Sequence, residues 1–133
     1  MGDRVLIQVV NGQEISPVAY GHWCGDRTPE IVARLKRRMK DRPGDVSYTF
    51  ARLVQEMTNG DDGALSFGCW NADVSVGSDG RITAKDSHGD AGCVIIDVSR
   101  GFRCDCLGGY LSADKDGMPK IASEVERAAE GTP

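Results

Sequence analysis

No stretch of this 133-residue chain approaches the roughly 18 consecutive apolar residues of a membrane-spanning helix, so no membrane partner is expected. The start, Met1-Gly2-Asp3-Arg4 before a short apolar run, lacks the layout of a secretory leader. Leu6 stands where a myristoylation signal requires Ser or Thr. Cysteine occurs five times, at Cys24, Cys69, Cys93, Cys104 and Cys106, and an odd number gives no complete disulfide framework. A reducing, cytoplasmic setting is therefore expected. There is no surplus of positive charge. Against 20 Asp and Glu stand 16 Lys and Arg, a net charge of −4, which argues against nonspecific nucleic-acid binding by the whole surface. Catalytic signatures are missing too: no Gly-x4-Gly-Lys-Ser/Thr phosphate loop, no Gly-x-Gly-x-x-Gly, no Gly-x-Ser-x-Gly elbow and no His-Glu-x-x-His. Asp114-Lys115-Asp116-Gly117 has the look of a calcium loop, but Ser112 and Ser123 fall at its first and twelfth positions, and the twelfth needs a bidentate Glu.

The hydrophobic pattern that is present reads as an α+β domain. Val5 to Val10 form a strand, Asn11-Gly12 signals a hairpin, and Gln13 to Trp23 return. A simple two-residue turn sets Glu14 against Val9, so a bulge or longer loop is expected. Pro17 cannot donate to a ladder and predicts an edge at that point. Thr28-Pro29-Glu30 is a helix start, with Thr28 as the capping hydroxyl. Ile31, Val32, Leu35 and Met39 line one helical face. Asp45 can cap a second helix whose stripe is Val46, Phe50, Leu53, Val54 and Met57. Leu65, Phe67 and Cys69 then alternate. Ser75 to Asp90 reads as a loop or weak hairpin around Arg81-Ile82-Thr83. Cys93 to Val98 and Phe102 to Leu107 flank Ser99-Arg100-Gly101 as a further hairpin, with Phe102, Cys104 and Cys106 inward. The expected fold is a single α+β domain over residues 1–111, an antiparallel sheet in the order ββ-αα-ββ(β)β with a pair of antiparallel helices packed on one face. Residues 112–133 read as a polar tail with a weak helix from Ala122 to Ala129.

Three constellations could carry chemistry. Tyr20, His22 and Cys24 share one side of an extended strand, with Trp23 on the other. That strand runs into a helix N-terminus beside Arg27, where free N–H groups and the helix dipole favour an anion. Tyr20, His22, Trp23, Arg27 and Thr28 are thus candidates for a carboxylate, phosphate or nucleotide. The alternative is a packed corner in which His22 only fixes the turn. A Cys24 nucleophile with His22 as its base lacks a third, orienting residue. His22, Cys24, Cys104 and Cys106 are also weak candidates for zinc, although their spacing is not the common Cys-x2-Cys knuckle and the cysteines equally suit inward strand positions. Arg34, Arg37 and Lys40 project opposite the apolar stripe and, with Tyr48 and Arg52, form a candidate partner surface; a solvated face is the alternative. No aromatic residue interrupts the basic run, so single-strand stacking has no platform there. No cofactor is implied. The unpaired edge makes a homodimer through strands a further expectation.

Ser16-Pro17-Val18-Ala19-Tyr20-Gly21-His22-Trp23-Cys24-Gly25 resembles a motif, Ser-Pro-x-x-Tyr-x-His-Trp-x-Gly, found in uncharacterised small proteins of phages, prophages and other mobile elements. Those proteins carry a short N-terminal hairpin before the motif and an amphipathic helix after it. The resemblance extends through Pro29 to Met57 and to Asn71-Ala72 and Gly108-Gly109-Tyr110-Leu111. It implies a phage-like setting inside a bacterial host and brings no activity with it. It further implies an accessory protein that binds a host protein, an anti-CRISPR or other anti-defence inhibitor being one concrete form.

Overall fold

Residues 5–10 of the first strand, β1 (Val5–Asn11), are all buried, and all but Gln8 are apolar. Such a run suits a strand covered on both faces rather than one half exposed to water. A computed structural model, which describes residues 2–59, 66–71, 79–87 and 89–112, places β1 at the centre of a five-stranded sheet. The other strands are β2 (Glu14–Gly21), β3 (Phe67–Trp70), β4 (Gly92–Asp97) and β5 (Arg103–Leu107), in the spatial order β3-β2-β1-β4-β5. The sheet is mixed, which corrects the expected all-antiparallel one. Strand β4 pairs with β1 in parallel, with Val5 opposite Gly92 and Val9 opposite Ile96, while the other three pairings are antiparallel. The parallel pair arises because the chain crosses the sheet between β3 and β4 instead of returning through a tight turn.

In the β1–β2 hairpin Asn11 faces Glu14, so the loop is Gly12-Gln13, one residue later than the Asn-Gly signal suggests. Gly12 takes the left-handed φ of 62° that this tight loop needs. The expected bulge is present: Gln8 pairs with Val18 and Val10 with Ile15, leaving Ser16 and Pro17 opposite Val9. The Ser16 hydroxyl accepts from the Val9 N–H at 2.9 Å, so the donor stranded by the bulge stays satisfied. Strand β3 covers β2 only from Val18 to Gly21, which leaves Pro17 outside that ladder.

Helices α1 (Thr28–Arg38) and α2 (Val46–Thr58) pack on one face of the sheet. Ile31, Val32 and Leu35 of α1 and Val46, Leu53 and Met57 of α2 join Val5, Ile7, Val9, Val94 and Ile96 in the main core. Asp45 caps α2 as expected, its carboxylate accepting from the Tyr48 N–H at 2.8 Å. Thr28 does not cap α1. A 3-10 turn at Gly25–Arg27 leads straight into the helix, and the Thr28 hydroxyl bonds back to the Cys24 carbonyl. Both ends of α1 reach the last turn of α2: Arg27 donates to the Met57 carbonyl at 3.3 Å, and Arg38 pairs with Glu56 at 2.8 Å.

The second face has its own core of Leu6, Val10, Val18, Ile82, Cys93 and Ile95. The segment around Ile82, expected as a loop or weak hairpin, covers it and closes in a short 3-10 turn, Ala84–Asp86, boxed by Thr83 and Asp86. Gln8 holds this cover in place. Its amide nitrogen donates to the carbonyls of Ser16 and Gly80, both at 3.1 Å, and its oxygen accepts from the Ile82 N–H at 3.0 Å. The β4–β5 hairpin turns through Gly101 and Phe102, both left-handed. For Phe102 that conformation costs about 1–2 kcal/mol, which burial of its ring in the main core offsets. Leu111, fully buried, ends the described core, and the expected tail helix and the Asp114–Gly117 stretch lie outside the described residues. No helix among the described residues is long and apolar enough to cross a membrane.

Candidate functional site

Strand β2 ends at Gly21, and the end is forced by packing. A β-carbon at Gly21 would collide with the Cys24 sulfur, which tucks under the strand against Met57. Because the chain bends at His22 and Trp23, the extended alternation expected through Cys24 stops. Cys24 drops into the main core between sheet and helices, whereas Tyr20 packs on the second face. Trp23, expected to point away from His22, instead meets it edge-on, with ring centroids 4.8 Å apart.

The result is a run of four rings. Trp70 on β3 lies opposite Val18, so it reaches Tyr20 as a diagonal cross-strand neighbour at 5.8 Å. The Tyr20 hydroxyl and His22 Nδ1 are hydrogen-bonded at 2.7 Å. His22 then meets Trp23. Trp23 is 52% exposed and Trp70 46%, and these are the two tryptophans of the chain. Trp70 was missing from the residues that sequence reasoning brought together. The alternation of Phe67 and Cys69 implies that it faces the other way, but only the β2–β3 register sets it beside Tyr20.

Carboxylates flank the Trp23 end. The Asp3 N–H donates to the His22 carbonyl at 2.7 Å, and the Asp3 carbonyl accepts from Gly25 at 2.9 Å. The Asp3 carboxylate accepts from the Asp26 N–H at 2.8 Å and from the Tyr110 hydroxyl at 2.6 Å. The Tyr110 hydroxyl is pushed well above its ordinary pKa by desolvation, then by Asp3 and the nearby charges of Asp26 and Asp90. Arg4, opposite this end of β2, is held by Asp90 at 2.8 Å.

This arrangement separates the residues grouped as an anion site. Arg27 turns to the Met57 carbonyl on the helical side, while His22 bonds to Tyr20 on the second face. The N–H groups of Gly25, Asp26, Arg27 and Thr28 all have internal acceptors: the Asp3 carbonyl, the Asp3 carboxylate, and the carbonyls of Cys24 and Gly25. The helix start therefore offers an anion no free donor over residues 25–28. The zinc candidates are likewise divided. Cys24, Cys104 and Cys106 face the helical core, away from His22, and no group of three His, Cys, Asp or Glu side chains able to hold a metal occurs among the described residues. Burial pushes the thiols of Cys93 and Cys106 up to about 12 and that of Cys104 higher still, so none is a ready nucleophile.

The candidate partner surface on the helices lies on the opposite side of the sheet from the rings. Arg34 is paired with Glu30 at 2.6 Å, and Arg37 and Lys40 are exposed. Tyr48, 44% exposed, has the Arg42 guanidinium 3.6 Å over its ring and that of Arg52 at 5.5 Å, while Arg42 also pairs with Asp45. Much of the positive charge is thus neutralised within the helices. A recess of about 470 Å³ at the hairpin tip, lined by Gly12, Gln13, Ile15, Asp79 and Arg81, contains none of the expected site residues.

No protein family, curated protein or solved structure matches this chain.

Proposed function

We propose that this chain is a non-enzymatic binding protein that holds a host protein on the strip Trp23–His22–Tyr20–Trp70. The observation that carries this reading is the half-exposed state of both tryptophans at the two ends of one continuous aromatic run. Tryptophan and tyrosine dominate the energetic centres of protein interfaces, because they bury much apolar area with little loss of side-chain freedom. Lone exposed aromatics are ordinary on protein surfaces; a connected row is less so. The anion-binding alternative has less support, since the donors it needs are already engaged. The phage-type resemblance supplies the setting, an accessory protein acting on host machinery, with an anti-CRISPR or other anti-defence role as its concrete form.

Quantitative affinity capture from a bacterial host lysate tests this. Wild type, Trp70→Ala and the helix-face variant Arg37→Glu serve as parallel baits, with circular dichroism confirming that each is folded. A host protein enriched by wild type and Arg37→Glu, and lost with Trp70→Ala, is expected. Identical recovery on wild type and Trp70→Ala removes the strip from the argument.

A further inference from the structure

We infer that the aromatic strip takes a cationic segment of its partner, an arginine or lysine side chain laid on the Trp23 indole with further basic residues beside it. This rests on the protein-binding reading of the strip and adds the chemistry of the occupant. At the Trp23 end the Asp3 carboxylate accepts from the Asp26 N–H and the Tyr110 hydroxyl, Asp26 itself is exposed, and Asp90 is tied to this end through Arg4, the neighbour of Asp3. Among the described residues one guanidinium, Arg4, answers these acids, and it is bound to Asp90. Among the described residues no cationic side chain pairs with Asp3 or Asp26. Arg27, the nearest cation along the chain, reaches the Met57 carbonyl on the other face. Asp26 stands three positions after Trp23, and the Asp3 backbone bonds to both His22 and Gly25, so these acids border the strip.

An exposed indole beside Asp3 and Asp26, with which no described cation pairs, suits a guanidinium or ammonium twice over. The ring face attracts the cation, and the carboxylates attract it further and can accept its hydrogen bonds. The same surroundings repel phosphate. A nucleic-acid strand stacking its bases on these rings would bring its backbone against Asp3 and Asp26 without a basic groove to hold it. The local charge thus selects a basic protein segment over a single strand, even though both could stack.

Anisotropy of labelled short probes tests the inference: a peptide alternating arginine and glycine, its glutamate–glycine counterpart, and an oligothymidylate of similar length. Saturable binding of the arginine peptide is expected, weakened at least tenfold between 50 and 500 mM salt as for contacts with exposed charges. Trp23→Ala and Asp26→Asn should each weaken it roughly three- to tenfold, the range of one cation–ring or surface charge contact. Arg37→Glu, on the helical face, should not weaken it. Tighter binding of the glutamate peptide or the oligothymidylate overturns the inference, and so does arginine-peptide binding indifferent to Trp23→Ala. If no probe binds while lysate capture still depends on Trp70, the cationic assignment fails and the binding surface stands. If capture is indifferent to Trp70 as well, both fail.

Discussion

Gln8 is the one polar side chain in the six-residue buried stretch of the central strand, and replacing it with leucine should destabilise the fold by about 2–4 kcal/mol. The estimate follows from its contacts. It is fully buried and makes three hydrogen bonds, with the carbonyls of Ser16 and Gly80 and the N–H of Ile82. Leucine has a similar volume but leaves those three groups without that partner; a buried group left unsatisfied costs about 1–3 kcal/mol, the two carbonyls with their second lone pairs at the low end, for roughly 4–5 kcal/mol in all. The greater apolar character of leucine returns roughly 1–2 kcal/mol, less than full burial of its side chain contributes because the site is already filled. Urea unfolding followed by circular dichroism measures the difference. With a slope near 2 kcal/mol/M, the midpoint should fall by about 1–2 M. Hydrogen exchange should locate the damage, with the Ile82 amide losing protection before the Val9 and Ile96 amides of the central strands. Gln8→Glu should be worse than leucine near neutral pH, because a carboxylate would face two carbonyls. Burial raises the pKa of such a group, so its penalty should shrink as the pH falls and the acid protonates. An unchanged midpoint for Gln8→Leu, together with unchanged exchange at Ile82, would refute the idea that this glutamine pins the second face.

Other perturbations follow from single features. Gly101→Ala should cost about 1 kcal/mol by thermal unfolding, because φ is 65° there and no atom lies within 4 Å of the new methyl. Gly21→Ala should cost more, because its methyl meets the Cys24 sulfur and the Met57 side chain in a filled core. In native alkylation at pH 8 followed by peptide mapping, Cys69 should react first and Cys106 slowly, with Cys24, Cys93 and Cys104 protected until denaturant is added. Equal labelling of all five would contradict the packing. The Asp45 carboxyl sits below its ordinary pKa, chiefly through the Tyr48 N–H bond and further through Arg42. Its contribution is therefore present above the unfolded carboxylate pKa and lost as the pH falls through the lowered value. Asp45→Asn should reduce that acid-side loss, seen as a smaller fall in Tm between neutral and acidic pH.

Local signals written in a few adjacent residues carried over well into the structure. Asp45 caps α2 because a side-chain oxygen needs only the N–H groups that follow it. The faces Ile31-Val32-Leu35-Met39 and Val46-Leu53-Met57 are buried because helical period alone sets which side chains point together. The bulge near Ser16 was legible because turn length and strand alternation conflict within one hairpin. Thr28 shows the limit of such signals. It has the chemistry of a cap, but the preceding 3-10 turn, held by Asp3 from outside the helix, already satisfies the first donors.

What the chain alone determined is which segments are strands or helices and which side chains seek burial, since both depend on near-neighbour periodicity. Pairing partners depend on contacts between residues far apart in the chain, and only the tertiary structure decided them. The parallel β1–β4 pairing, the cover over Gln8 and the diagonal approach of Trp70 to Tyr20 are of that kind. The same holds for the motif from Ser16 to Gly25. Its residues were conspicuous in sequence as a strand running into a helix. Folding put Cys24 and Arg27 on the helical side and left Tyr20, His22 and Trp23 with Trp70 at the surface, because the chain bends at His22 and Trp23 and the bare backbone of Gly21 leaves the room that the Cys24 sulfur fills.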